Sequence, residues 1–373
     1  MDLRHAKIPC IVPHTAQAGT VYGIAQQASI YAKPEGVPQR IAGLMAPWPR
    51  RIARAGDIIT SVAEFTLCLG HSASWVFGGA GAAAGWLESF VKALGLSAAR
   101  EGTGRRILFE EMQMRPNAFF GPVLQRCLKE LPRGKWKVRE FNDLAFFEHP
   151  SFDGLLCELK PVEEWRRRVD QMRRSLLPVY TDALAHGGLP IHGALIAVDG
   201  QGVILAGRSG AGKSTACRRL PHPWQVIGDD LCLVMPDGPS DYRVHPLPTW
   251  SDFREDGASG VCRSASSVPL RAFFFLERSP VDECLELKKS AAAISLAGSA
   301  VEVFRSIDFG FPSREEPAVK RALYASAASI ALTVPAYRFR LSLTGRFWEK
   351  IEEVLENGNS PLFQRETRGQ KTA

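Results

Sequence analysis

Gly207-Arg208-Ser209-Gly210-Ala211-Gly212-Lys213-Ser214-Thr215 matches the spacing G-x-x-x-x-G-K-[ST], the Walker A phosphate loop. Its glycines let successive backbone N–H groups turn inward with no Cβ in the way. Those amides, with the helix start that follows, make a concavity for phosphate oxygens. Lys213 reaches terminal phosphates as a point charge, and Ser214 suits a Mg2+ ion bridging two of them. A Gly-rich turn alone does not account for the Lys-Ser pair.

A second constellation follows. In Val226-Ile227-Gly228-Asp229-Asp230-Leu231-Cys232-Leu233-Val234 two adjacent carboxylates interrupt an apolar run. Neighbours in a strand point to opposite faces, so one aspartate faces inward or a bulge aims both. Standing alone, the pair reads as a turn. Beside a phosphate loop it reads as a metal ligand and a general base, which phosphoryl transfer to a hydroxyl requires. The third candidate is His192, in Ile191-His192-Gly193 immediately before a strand. A lone histidine is more often structural; near a carboxylate it tunes that group or shares its proton.

These residues need particular elements around them. Ala194–Val198, a turn at Asp199–Gly202 and Val203–Ala206 read as strand, turn, strand running into the loop. Ser214–Leu220 reads as the helix after it, closed by Pro221. Downstream, Phe273–Leu276 reads as a buried strand, Tyr337, Phe339 and Leu341 as alternate residues of a half-exposed one, and Phe347–Leu355 as a closing amphipathic helix. Arg271 is a candidate for stabilising a transferring phosphate. Thr249-Trp250-Ser251-Asp252-Phe253 reads equally as a packed loop or as a seat for a peptide.

Upstream, Phe65, Leu67 and Leu69 alternate, Gly70-His71-Ser72 turns, and Trp75 and Phe77 alternate again, the pattern of a hairpin. Ala80–Leu94 has helical spacing stopped by Gly95, and Ile107–Met112 reads as a strand. Pro161 opens a helix with Val162, Trp165, Val169 and Met172 on one stripe and Arg166, Arg167, Arg168, Arg173 and Arg174 mostly elsewhere; Pro178 kinks or ends it. The expected divisions are a Pro/Arg-rich segment 1–60, a small α/β accessory domain 61–160, a connecting helix 161–188, a phosphate-loop domain 189–356 and a flexible tail 357–373.

The 373 residues are 45% hydrophobic and 23% charged, which excludes a wholly disordered or fibrous chain. The net charge of +7 favours anionic ligands without choosing among them. Eight cysteines are widely and irregularly spaced with no CxxC pair, so zinc-site spacing is absent and reduced thiols are expected. No apolar signal-peptide core precedes Gly19, and the uncharged Thr66–Leu87 stretch is too rich in glycine for a span. The expectation is a cytoplasmic protein with no membrane and no nucleic-acid partner.

His192-Gly193, the hairpin Ala194–Ala206, the loop Gly207–Thr215 and Gly228-Asp229-Asp230 resemble the catalytic core of the HPr kinase/phosphorylase family. The resemblance is closer to a divergent branch, the SynChlorMet cassette proteins ScmC. It covers most of the chain from Glu64 onward, through the Phe65–Leu69 and Trp75 hairpin with Trp86-Leu87, Pro246–Ser251, Pro269–Glu277, Val334–Arg338 and Thr344–Trp348. The fold class implied is α/β, an HPr kinase-like P-loop core (a mixed sheet flanked by helices) preceded by a small α/β accessory domain. The resemblance implies that the loop residues Gly207 to Thr215 bind ATP, with Lys213 and Ser214 holding nucleotide and Mg2+. It further implies that Asp229 is the base, Asp230 supports the metal and His192 assists the base. A ribosomally made precursor peptide or small protein is implied as acceptor, with radical-SAM enzymes of the same cassette as partners. HPr kinases are oligomers, which makes a homo-oligomer a candidate state. The Glu-x-Arg-Gly-x-Gly signature of true HPr kinases does not follow the core, and the front half does not resemble their N-terminal domain.

Three functions stay open on the residues: a Ser/Thr kinase of a peptide or protein, a P-loop kinase of a small hydroxylated metabolite, and a non-catalytic nucleotide-binding assembly module. No Asn-Lys-x-Asp follows the loop, which argues against a GTPase, and no Leu-Ser-Gly-Gly, which argues against an ABC ATPase.

Overall fold

A computed structural model describes residues 63–356 apart from 71–72, 100–103, 113–122, 125–126, 128–134, 153, 252, 254–261, 263, 265 and 308–315. The expectations for segments 1–60 and 357–373 lie outside the described residues.

The first of two mixed sheets is built from β1 (Glu64–Leu69), β2 (Ala73–Ala80), β3 (Ala98–Ala99), β4 (Arg105–Glu111), β5 (Lys137–Glu140), β6 (Leu144–Glu148) and β7 (Leu155–Leu159), in the order β3-β1-β2-β4-β7-β6-β5. The expected hairpin is β1–β2, with Phe65 opposite Phe77 and Leu67 opposite Trp75. Helix α1 (Ala83–Leu94) ends at Gly95, whose left-handed φ of 64° suits a glycine C-cap. It lays Trp86 and Phe90 over Phe77 and Phe109, with ring centroids 4.8 to 5.7 Å apart across the contact. Each such buried ring stabilises the fold by about 1.5–3 kcal/mol.

The expected single helix after Pro161 is two. Helix α2 (Trp165–Ser175) begins after Val162, so that residue drops off the stripe, and α3 (Leu177–Ala185) starts with Pro178 in its first turn, where a missing N–H costs nothing. On α2, Arg174 is buried, bonded to Asp143 and to the Ile307 carbonyl.

The second sheet carries β8 (Leu189–Val198), β9 (Gln201–Ala206), β10 (Gln225–Gly228), β11 (Leu231–Pro236), β12 (Tyr242–Leu247), β13 (Val268–Arg278), β14 (Glu283–Glu286) and β15 (Ala336–Leu341). β9 lies between β8 and β13, so the pairings β8–β11–β12–β13–β9–β8 form a ring. β13 runs parallel to both β9 and β15. Alternation divides the side chains between two layers. Leu195, Ile204 and Phe273 join the core with α3, α5 (Lys289–Ser306) and α6 (Glu316–Thr333). Ile196, Val203, Leu205, Phe274 and Phe339 pack on the other face under α4 (Lys213–Arg219) and α7 (Phe347–Glu356). The first core cluster also takes in Trp75, Phe77 and Phe109, so one apolar core runs beneath both sheets.

Candidate functional site

The phosphate loop leaves β9 at Ala206 and enters α4 at Lys213. Gly207, Gly210 and Gly212 have φ of 153°, 78° and 109°, a region that favours glycine. At Gly207 a Cβ would also lie 3.0 Å from the Ala211 Cβ and 3.3 Å from the Leu276 carbonyl oxygen. The loop closes through Ala211 N–H to Arg208 O at 3.0 Å and Ala216 N–H to Gly212 O at 2.8 Å. Arg208, Ser209, Gly210, Ser214 and Thr215 are exposed, whereas Lys213 is buried and donates to Gly207 O at 2.7 Å. Burial lowers the Lys213 pKa, and the charges of Asp230, Glu302 and Asp229 oppose that shift.

His192 lies within β8, not before it. Leu189 and Ile191 are fully buried and pair with β11, which carries the strand back to the turn after α3. One antiparallel ladder joins β8 to β10 and β11, with a register shift between Val226 and Gly228. Asp229 and Asp230 sit in the bend between β10 and β11, and Gly193 N–H donates to Asp230 O at 3.0 Å. The bulge therefore stands directly before the aspartates, and the charges of both act on Lys213.

The two aspartates have different surroundings. Asp229 Oδ1 is buried with no hydrogen-bond partner among the described residues. Desolvation, then the charge of Asp229 and a hydrogen bond to it, push the Cys217 thiol up to about 12. Cys217 is thus a protonated donor toward Asp229 from α4. Asp230 Oδ1 lies 3.5 Å from His192 Nε2, and Glu302 Oε2 lies 3.6 Å from His192 Nδ1. Burial and the Lys213 charge lower the His192 pKa; Asp230 and Glu302 counteract them.

Lys213, His192, Asp229 and Asp230, expected to act together, converge at one end of β9. Glu302, Ser299 and Cys217 were missed; α5 and α4 bring them in by packing, and no motif marks them. Arg271 is a correction. It bonds to Gln201 Oε1 at 3.0 Å, and because β13 is parallel to β9 that places it at the end opposite the loop. Arg278, at the other end of β13, has its Nη2 3.8 Å from where a Gly210 Cβ would stand. Trp250 is buried against Phe253, so this part of the loop is packed inward and is no exposed seat for a peptide.

Asp229 and Ser214 fit a divalent ion. Asp229 Oδ1 is a buried carboxylate oxygen with no hydrogen-bond partner among the described residues, and Ser214 offers an exposed hydroxyl on the loop, both oxygen donors of the kind Mg2+ takes.

Two mixed sheets flanked by helices, with a glycine loop, a buried lysine and an acid pair at one sheet end, define an α/β protein with a kinase-like core. The chain belongs to the family described as SynChlorMet cassette protein ScmC, whose model matches residues 155–356, more than half of its length. It is also similar to the HPr kinase/phosphorylase of Bacillus licheniformis (strain ATCC 14580), 27% identical over 178 residues that cover 45% of this chain and 55% of the relative. The chain thus spans about half the length of that relative. Among the described residues no helix is long and apolar enough to cross a membrane.

Proposed function

We propose that the chain transfers the terminal phosphoryl group of ATP to a Ser or Thr hydroxyl of a peptide or small protein. The observation that carries this reading is the convergence of the Gly207–Thr215 loop, Lys213, His192 and the Asp229-Asp230 bend on one end of the sheet. The likeness to an HPr kinase/phosphorylase supports phosphotransfer as the reaction class. The acceptor proposed here is a ribosomally made precursor peptide of the same cassette, the substrate that the resemblance in the sequence implies. ATP is the donor that the loop and the kinase likeness suit.

The loop amides and Lys213 orient the phosphates. Asp229 and Ser214 would hold Mg2+, which when bound would supply positive charge that offsets the charge of the phosphates. His192 faces Asp230 rather than Asp229. The proposal therefore exchanges the roles that the family resemblance implied: Asp230 is the base and Asp229 the metal ligand. Asp230 takes the proton of the acceptor hydroxyl, with His192 sharing it. The acceptor oxygen bonds to the γ-phosphorus, the bond from that phosphorus to the β–γ bridging oxygen breaks, and ADP leaves with its electron pair.

Incubation with Mg2+, γ-labelled ATP and the precursor peptide of the same cassette tests this reading. Label on a peptide Ser or Thr is expected. Label on small hydroxylated metabolites alone would make the acceptor class wrong. ATP binding with no transfer to any acceptor would leave an assembly module.

A further inference from the structure

One turn of α5 grips His192 from two directions. Ser299 Oγ accepts the His192 backbone N–H at 3.0 Å and faces the His192 carbonyl at 3.3 Å. Glu302, three residues on and so on the same helix face, sets its carboxylate 3.6 Å from ring atom Nδ1. Nε2, on the far side of the ring, faces Asp230 at 3.5 Å. Both are ion-pair contacts, longer than the usual hydrogen bond.

The ring has a carboxylate on each nitrogen and, when neutral, a single N–H. Which carboxylate receives that proton decides what the other nitrogen does. We propose that Glu302 is the positioning residue for His192: its carboxylate takes the Nδ1 proton and turns the Nε2 lone pair toward Asp230. Ser299 fixes the backbone at this point, and Glu302 selects the orientation of the ring. With Nε2 bare, His192 accepts the proton that Asp230 draws from the acceptor hydroxyl, and the Glu302 charge then stabilises the imidazolium. Carboxylate–histidine pairs in hydrolases divide the work in this manner. Lowering of the His192 pKa by burial and by Lys213 is consistent with a neutral ring awaiting a proton.

The inference rests on the phosphotransfer reading, but its main test does not need turnover. Two-bond proton–nitrogen correlation spectra of the 15N-histidine-labelled full chain at neutral pH report the tautomer, with His192→Asn identifying the signals. The expected result is a protonated Nδ1 and a bare Nε2 at His192, preserved in Glu302→Gln, whose amide oxygen still accepts, and lost in Glu302→Ala. In the labelled-peptide assay Glu302→Ala should lower kcat about 10- to 100-fold, more than it raises the KM for ATP, with Glu302→Gln recovering part. A His192 ring protonated at Nε2 alone, a doubly protonated ring, or a tautomer unmoved in Glu302→Ala would overturn the proposal. The expected tautomers in a protein that transfers no phosphate would uphold the positioning and sink the phosphotransfer reading instead.

Discussion

Lys213 Nζ donates to the carbonyl oxygen of Gly207 at 2.7 Å, so the last charged residue of the phosphate loop reaches back over its first. The contact holds a buried ammonium at the mouth of the loop, where Asp230, Glu302 and Asp229 also act on it. Removing it takes away a charge-assisted hydrogen bond to phosphate worth about 1.5–3 kcal/mol. Lys213→Ala should therefore weaken ATP binding roughly 10- to 100-fold by calorimetry. Lys213→Arg should not restore it, because a planar fork does not fit a slot shaped for a compact charge. Full affinity in either variant would show that the nucleotide sits elsewhere.

The two aspartates should separate under substitution. Asp230→Asn, which removes the base, should keep Mg-ATP affinity and lose turnover about 100- to 10,000-fold. Asp229→Asn should instead raise the Mg2+ concentration needed for half-maximal turnover, since the unpartnered Oδ1 is the oxygen given to the ion. Titrating Mg2+ against initial rate in both variants distinguishes them. The opposite pattern would return the base role to Asp229.

Local signals were readable in the sequence and tertiary ones were not. The loop, its flanking strand and helix, the β1–β2 hairpin and the Tyr337–Leu341 alternation each announce themselves within ten residues or so, the range over which periodicity and glycine placement act. His192 fell outside its strand because the apolar run reads as starting at Ala194; in the structure the ladder with β11 continues upstream through His192 to Leu189, with Pro190 opposite Leu233. Arg271 was misplaced because composition shows a strand but not the end that meets the loop; only the parallel register of β13 with β9 reveals that. Glu302 had no local signal at all. α5 is rich in alanine, and its approach to His192 is a matter of packing.

Gly207 is the loop position where a side chain is least tolerable. Its φ of 153° and the 3.0 Å approach to Ala211 Cβ act together. Gly207→Ala should lower unfolding free energy by about 1–3 kcal/mol in urea titration. It should also abolish ATP binding, since relief of the contact tilts the amides away from the phosphates. A stable variant that binds ATP normally would mean that the loop adapts.

His245 on β12 ties acid sensitivity to a residue remote from the proposed chemistry. It is buried, and its Nδ1 lies 3.1 Å from Ser264 O, which can only accept, so Nδ1 carries the proton; Nε2 has no partner among the described residues. Desolvation is the main cause that lowers its pKa below 6.5; Arg243 lowers it further, and the Ser264 carbonyl and Asp237 oppose the shift. The unfolded chain therefore binds a proton that the folded chain refuses as pH falls below 6.5. Stability is full above that value and declines beneath it, by at most about 1.4 kcal/mol per pH unit from this one group, until the depressed folded pKa is passed. Urea midpoints at pH 7.5 and 5.5 should fall together less steeply in His245→Phe than in the parent chain. The variant itself should be less stable at pH 7.5, because Ser264 O loses its donor. Equal slopes in the two proteins would place the acid-sensitive group elsewhere.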